Sequence, residues 1–277
     1  MARIPKKVID RITKSAPRFQ KILQAAKDRD VNESDTVTIV TDLLAEVFGY
    51  DKYSEITSEL AIRGTFCDLA VKVGGEIKFL IEVKAIGLSL NSNHLRQAVG
   101  YGASEGIPWI VLTNGTNWEI YKIRFEQPIS TELVCEFNLL DLSARNSGDQ
   151  DKLFLLCKEG LSKDAIEDYH TKVSSLNRFV IAALIQSEPI IGVLRRELKK
   201  LAPGTKIADE EISEMFPDVL KRDVLDGEDA QRAQKQVKKA AAAQARQKKK
   251  LAPKPAQAEP TGGSAEGLDE LPDREIT

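Results

Sequence analysis

Cys67-Asp68-Leu69-Ala70-Val71-Lys72-Val73-Gly74-Gly75-Glu76-Ile77-Lys78-Phe79-Leu80-Ile81-Glu82-Val83-Lys84 decides how this chain is read. Apolar residues on either side of Gly74-Gly75 predict two strands, 65–73 and 77–85, joined as a hairpin. Asp68, Glu82 and Lys84 lie inside these apolar runs, where charge is costly unless it is paired or bound to a metal. Residues two apart on a strand share a face, so Glu82 and Lys84 point one way while Phe79, Ile81 and Val83 point the other.

The register of the hairpin follows from those faces. With a two-residue loop, Val73 faces Glu76 and Asp68 faces Ile81, which mixes apolar and charged positions. With a three-residue loop, Gly74-Gly75-Glu76, Val73 faces Ile77 and the faces separate. Asp68 then lies opposite Glu82, Phe66 opposite Lys84, Cys67 opposite Val83, Leu69 opposite Ile81 and Val71 opposite Phe79. A slip of one residue destroys the separation, and three-residue loops with a left-handed glycine are common. The expectation is therefore a three-residue loop with Asp68 and Glu82 side by side and Lys84 adjacent.

Outward from the hairpin, Ser34 predicts an N-cap for a helix over 35–48, with Val37, Val40, Leu44 and Val47 as its apolar stripe and Gly49 at its end. A second helix is expected over 92–104 and further strands over 108–113, 117–125 and 131–137. Residues 35–140 then read α-β-β-α-β-β, an α/β domain around a mixed sheet. Residues 5–29 have helical spacing, with Pro17 as an expected interruption. Beyond 151 the pattern is helical, and the last residues are rich in Pro, Gly, Ala and acid. The expected divisions are an N-terminal helical segment 1–33, a core domain 34–145, a helical accessory domain 146–230 (a candidate for DNA binding or dimerisation), a basic helix 231–254 and a disordered acidic tail 255–277.

Composition narrows the function. In 277 residues, 40 Lys and Arg against 42 Asp and Glu give a formal net charge of -2, which alone neither requires nor excludes a polyanionic partner. No apolar run reaches membrane-spanning length, and the first residues carry no apolar signal region, so a cytoplasmic location is expected. Cys67, Cys135 and Cys157 match neither a disulfide framework nor a zinc motif, and His94 and His170 are too few for a histidine-rich metal site.

Two carboxylates at cross-strand distance repel unless a positive group lies between them. A hard divalent cation fits, Mg2+ above all, with Lys84 beside it to stabilise developing negative charge, as in metal-assisted phosphodiester hydrolysis. Glu46, at the edge of its helix's buried stripe, is a candidate third carboxylate, with a plain solvated helix position as the other reading. Gln97 and Tyr101, one turn apart and following His94, share a polar face: Gln97 is a candidate to bond a phosphate or a metal-bound water and Tyr101 to touch the backbone or a base; packing on the helix surface is the bland alternative. In 231–254, Lys235, Lys238, Lys239, Lys248, Lys249 and Lys250 belong to an acid-free run read either as phosphate contacts or as a solvated helix end.

These residues resemble the PD-(D/E)xK nuclease superfamily. Asp68 followed by Glu82-Val83-Lys84 carries the motif, with Glu46 as the helical acid. Gln97-Ala98-Val99-Gly100-Tyr101 and Leu112-Thr113-Asn114-Gly115-Thr116-Asn117-Trp118 are similar to the N-terminal nuclease domain of type I restriction R subunits, over roughly residues 35–125. The resemblance implies a restriction-endonuclease-like fold with a helical C-terminal extension. It also implies a Mg2+-dependent DNA endonuclease, with Mn2+ as a substitute metal. Glu46, Asp68 and Glu82 would then bind metal, Lys84 would support catalysis, and Gln97 and Tyr101 would support the cleft. The chain departs from a full R subunit in lacking a GxxxxGK[ST] loop: Pro203-Gly204-Thr205-Lys206 is the nearest approach, so ATP dependence does not carry over. Expected partners are DNA and either a second copy or other defence or repair subunits, with no membrane. The alternatives are a non-catalytic nucleic-acid-binding or assembly protein on the same fold, and an RNA-processing or repair nuclease.

Overall fold

The computed structural model describes residues 3–62 and 65–251, without the side chains of 59–62, 65–66 and 247–251. The expected tail 255–277 lies outside the described residues. The chain divides into two units, 1–177 and 178–277.

The first unit begins with helices α1 (Lys6–Asp28) and α2 (Glu33–Glu46). Strands β1 (Ile56–Ile62), β2 (Thr65–Val73) and β3 (Glu76–Val83), helix α3 (Ser92–Glu105), and strands β4 (Trp109–Thr113), β5 (Asn117–Arg124) and β6 (Ser130–Asn138) follow. Helices α4 (Ser147–Leu156), α5 (Lys158–Leu161) and α6 (Ala165–Ser175) complete it. The six strands form one sheet in sequence order. β3 and β4 are parallel, joined through α3, and every other neighbour is antiparallel. The architecture is mixed α/β, with helices flanking a mixed sheet.

The two sheet faces carry separate cores. Leu69, Val71, Phe79, Ile81, Val83, Val111, Trp118 and Ile120 pack with residues of α1, α2, α4 and α6. On the other face Ala70, Leu80, Ile110 and Leu112 pack under Leu95, Ala98 and Tyr101 of α3. This explains why the domain does not divide at 33/34 or 145/146 as expected. Val8, Ile12, Phe19 and Leu23 of α1 and Leu153 to Leu156 of α4 are fully or almost fully buried in the same core as the strands. α1 also runs unbroken through Pro17, because buried residues on both sides of the proline anchor it. The cap of α2 is Asn32, whose side chain accepts from the Asp35 amide, rather than Ser34. Strand β1 was absent from the expected order.

The hairpin reaches its expected register by another route. Val73 faces Glu76, so the loop has two residues, Gly74 and Gly75, both at positive φ (63° and 85°) as such a turn requires. A bulge between Val71 and Lys72 then restores the pairs Val71–Phe79 and Leu69–Ile81. One extra residue in the strand does what one extra residue in the loop was expected to do.

The second unit is helical: α7 (Arg178–Ile185), α8 (Glu188–Leu201), α9 (Asp209–Glu214), α10 (Phe216–Val219), α11 (Arg222–Leu225) and α12 (Glu228–Leu251). Its cores are small. One joins Val180 and Ala183 to Ala233, the other Ile191 to Ile212 and Phe216.

Candidate active site at the end of strand β3

The site forms where β3 leaves the sheet. Glu82 pairs with Leu112 of β4 and shares a face with Leu80, the face covered by α3. It is 1% exposed. Its Oε1 lies 2.8 Å from Lys84 Nζ, whereas Oε2 is buried without a hydrogen-bond partner among the described residues. Asp68, half-buried on β2, accepts the Val83 amide through Oδ2 at 2.7 Å. Asp68 adjoins the last ladder pair, Leu69–Ile81, and lies close enough for its charge to act on both Glu82 and Lys84.

Burial pushes the Glu82 carboxyl up to about 7; the Asp68 charge adds to the rise, and the hydrogen bond from Lys84 opposes it. Burial alone would depress the Lys84 ammonium, but its hydrogen bond to Glu82 and the charges of Glu82, Glu33 and Asp68 hold it above its ordinary value. Cys67, beside the two acids, is fully buried. Burial, then the charges of Glu82 and Asp68, raise its thiol to about 12, which leaves it a small hydrophobe and not a nucleophile.

The third acid at this site is Glu33, which the sequence reading missed. It is the first residue of α2, and its Oε2 lies 3.5 Å from Lys84 Nζ. Glu46 is the last residue of the same helix, thirteen positions and so about 20 Å away along the axis. There it pairs with Arg18 of α1 at 2.8 Å, half exposed. Glu46 is therefore not brought to Asp68, Glu82 and Lys84. Glu46 thus takes its other reading, a solvated helix position, and the acid near Lys84 comes from the opposite end of the same helix. An acid directly after an Asn cap was a signal for the other end, since the first turn of a helix is where a carboxylate is favoured.

Gln97 and Tyr101 are brought together but divided in role. Tyr101 is 3% exposed, with its ring in the core under α3; Gln97 is exposed and donates to the Tyr101 hydroxyl at 2.9 Å. The Thr113–Trp118 segment is architectural. Asn114 Oδ1 accepts from Thr116 N, Thr116 Oγ1 and Asn117 N, while Asn114 Nδ2 donates to Leu88 O, tying the turn to the loop that follows Lys84. The Thr113 carbonyl accepts the Lys84 amide at 2.8 Å. The segment thus fixes the backbone on both sides of the Lys84 side chain.

Among the described residues no three His, Cys, Asp or Glu side chains gather closely enough to hold a metal ion by themselves. The donors present are two adjacent carboxylates and one unpartnered buried oxygen. That suits a cation such as Mg2+, which takes one or two protein carboxylates and fills its remaining positions with water and substrate phosphate. Lys235, Lys238 and Lys239 lie exposed on α12 in the second unit, and Lys248, Lys249 and Lys250 follow on the same helix. Among the described residues no helix is long and apolar enough to cross a membrane. No family model, curated protein or solved structure matches this chain.

Proposed function

We propose that the first unit is a metal-dependent endonuclease of restriction-endonuclease-like fold, acting on DNA phosphodiester bonds with Mg2+ or Mn2+. One observation carries the reading: a carboxylate buried at the end of a central strand, with one oxygen on a lysine and the other without a partner. A fold bears such a group where charge is to be engaged by a ligand.

Asp68 and Glu82 would hold the metal. When bound, Mg2+ supplies positive charge to the scissile phosphate and lowers the pKa of water. Lys84 lies beside both acids and remains protonated, so its ammonium is available to stabilise the extra negative charge of the pentavalent phosphorus. Lys84 has Glu33 as a second partner at 3.5 Å. With Glu82 engaged in holding a metal, Glu33 would keep the ammonium at the site. The Asn114 turn orients Lys84 through the backbone.

The test incubates supercoiled plasmid and single-stranded DNA with Mg2+, Mn2+ or EDTA, comparing wild type with Asp68→Ala, Glu82→Ala and Lys84→Ala. Metal-dependent nicking that disappears in each variant is expected. Cleavage that persists in all three variants would sink the proposal. The closed Glu82–Lys84 pair favours a second reading, a nucleic-acid-binding or assembly protein on the same fold; tight DNA binding without cleavage under any metal is its signature. Faster cleavage of RNA than of DNA would point to RNA processing.

A further inference from the structure

Helix α12 carries eight Lys or Arg and no acid between residues 230 and 251. Their arrangement is not random. At about 100° per residue, and with Lys235 as origin, Lys238, Lys239, Arg246 and Lys249 fall within about 60° on either side. Arg232 and Lys250 lie at the edge of that arc, and only Lys248 falls outside. Seven cations therefore share about a third of the helix circumference. Ala230, Ala233 and Val237 lie on the opposite side; Ala230 is buried there, and Ala233 and Val237 pack against Phe179, Val180 and Ala183 of α7. Lys235, Lys238, Lys239 and Arg246 are exposed. Among the described residues the ion pairs of α12 involve Arg232 alone, with Glu228 and Asp229.

Like charges three and four apart on a helix destabilise it. The helix dipole offsets this only within the last turn, which accounts for Lys248 to Lys250 but leaves Lys235 to Arg246 without compensation. From Arg232 to Lys250 the stripe runs about 27 Å, one cation per roughly 4 Å, against one phosphate per about 3.4 Å of axis on each strand of duplex DNA. A membrane-surface helix needs a free apolar face of large side chains, whereas the apolar face of α12 is small and covered by α7. The helix has no aromatic residue on which bases could stack.

We infer that α12 is a sequence-independent arm for the phosphate backbone of duplex DNA. The inference goes beyond the cleavage reading and does not need it, since binding through phosphates requires no metal.

The test uses the full chain in EDTA, with fluorescence anisotropy on two unrelated 25-base-pair DNA duplexes across a salt series. Wild type is compared with Lys235→Gln/Lys238→Gln/Lys239→Gln/Arg246→Gln and with the charge-keeping Lys235→Arg/Lys238→Arg/Lys239→Arg. Circular dichroism checks that helicity is kept. The glutamine set is expected to weaken binding more than 10-fold to the same degree on both duplexes, and to flatten the slope of log K against log salt by about 3 to 4. The arginine set is expected to keep both. Unchanged affinity and slope in the glutamine set with helicity intact would overturn the arm. So would tighter binding to anionic vesicles or to duplex RNA. Because this assay contains no metal and the cleavage assay reads Asp68, Glu82 and Lys84, either can fail while the other succeeds.

Discussion

Two carboxylate–cation pairs in the first unit have nearly the same length and opposite character. Glu159 meets Arg11 at 2.7 and 2.9 Å, and the same guanidinium donates to the carbonyls of Val47 and Phe48, so it ties α1 to the end of α2 and to α5. The Arg11 hydrogen bond holds the Glu159 carboxyl down to about 2. Glu82 meets Lys84 at 2.8 Å, yet burial raises it to about 7 and one oxygen has no partner. A bidentate guanidinium satisfies both oxygens of a carboxylate, and a lysine satisfies one. The first pair is complete within the protein and serves stability; the second leaves one carboxylate oxygen open, as the proposed metal site requires.

The sharpest way to break this contrast is to remove one cation from each pair. Lys84→Ala should lower plasmid nicking by about 100-fold or more while changing the denaturation midpoint little at pH 5, where the Glu82 carboxyl it leaves behind is protonated. Arg11→Ala should leave nicking per folded molecule unchanged and cost about 2–3 kcal/mol in urea denaturation, because it strands a largely buried carboxylate and frees two carbonyls. If Lys84→Ala unfolded the protein as readily as Arg11→Ala, the Glu82–Lys84 pair would be a structural bridge.

The same contrast shows what the sequence made legible. The Glu-x-Lys spacing placed Glu82 and Lys84 on one face because strand periodicity is local. The pairing with Asp68 followed because only one register separates the faces. The bulge was not visible, since Ile77, Lys78 and Phe79, which hold the extra residue opposite the Val71–Lys72 step, carry no glycine or other local mark of it. Glu159 and Arg11 are 148 positions apart, and no periodicity links them. Strand β1 was missed because Ile56–Ile62 alternates weakly and adjoins loop residues. The end of α2 that meets β3 depends on tertiary packing, so the choice between Glu33 and Glu46 could not be made from helix spacing alone.

pH should separate the two pairs with opposite signs. Glu159 has a folded pKa below its unfolded value, so its stabilisation is full above about pH 4.5 and is lost as pH falls toward 2. Glu82 has a folded pKa above its unfolded value. Its contribution is full below about pH 4.5 and is lost as pH rises toward 7, because the unfolded chain ionises more readily. Glu82→Gln should therefore stay within about 1 kcal/mol of wild type at pH 5 and be more stable by about 2–3 kcal/mol at pH 8, as read by urea titrations at both values. A loss at pH 8 as large as that of Arg11→Ala would show that the Lys84 bond outweighs the burial of the charge. Cation binding at the proposed site would displace the Glu82 proton, so Mg2+ affinity followed by calorimetry should rise between pH 6 and 8 in wild type and lose that rise in Glu82→Gln.

The two ends of α2 give the smallest and most discriminating contrast. Glu46 and Arg18 lie 2.8 Å apart with side chains 43% and 60% exposed. Solvent screens such a pair and two long side chains lose freedom to form it, so Glu46→Ala should cost less than about 0.5 kcal/mol and leave nicking unchanged. Glu33 is also exposed, at 47%, but it faces a lysine that is only 15% exposed. Its charge acts across a less hydrated space, and Glu33→Ala removes the group that holds the Lys84 ammonium once Glu82 is engaged. Nicking should fall about 10-fold by weaker positioning of Lys84, Glu33→Asp should recover part of the loss, and the unfolding free energy from urea titration should stay within about 0.5 kcal/mol of wild type. Nicking assays on these three variants at saturating Mg2+ decide the matter. Equal activity of Glu33→Ala and Glu46→Ala would remove Glu33 from the site and leave Lys84 dependent on Glu82 and Asp68 alone.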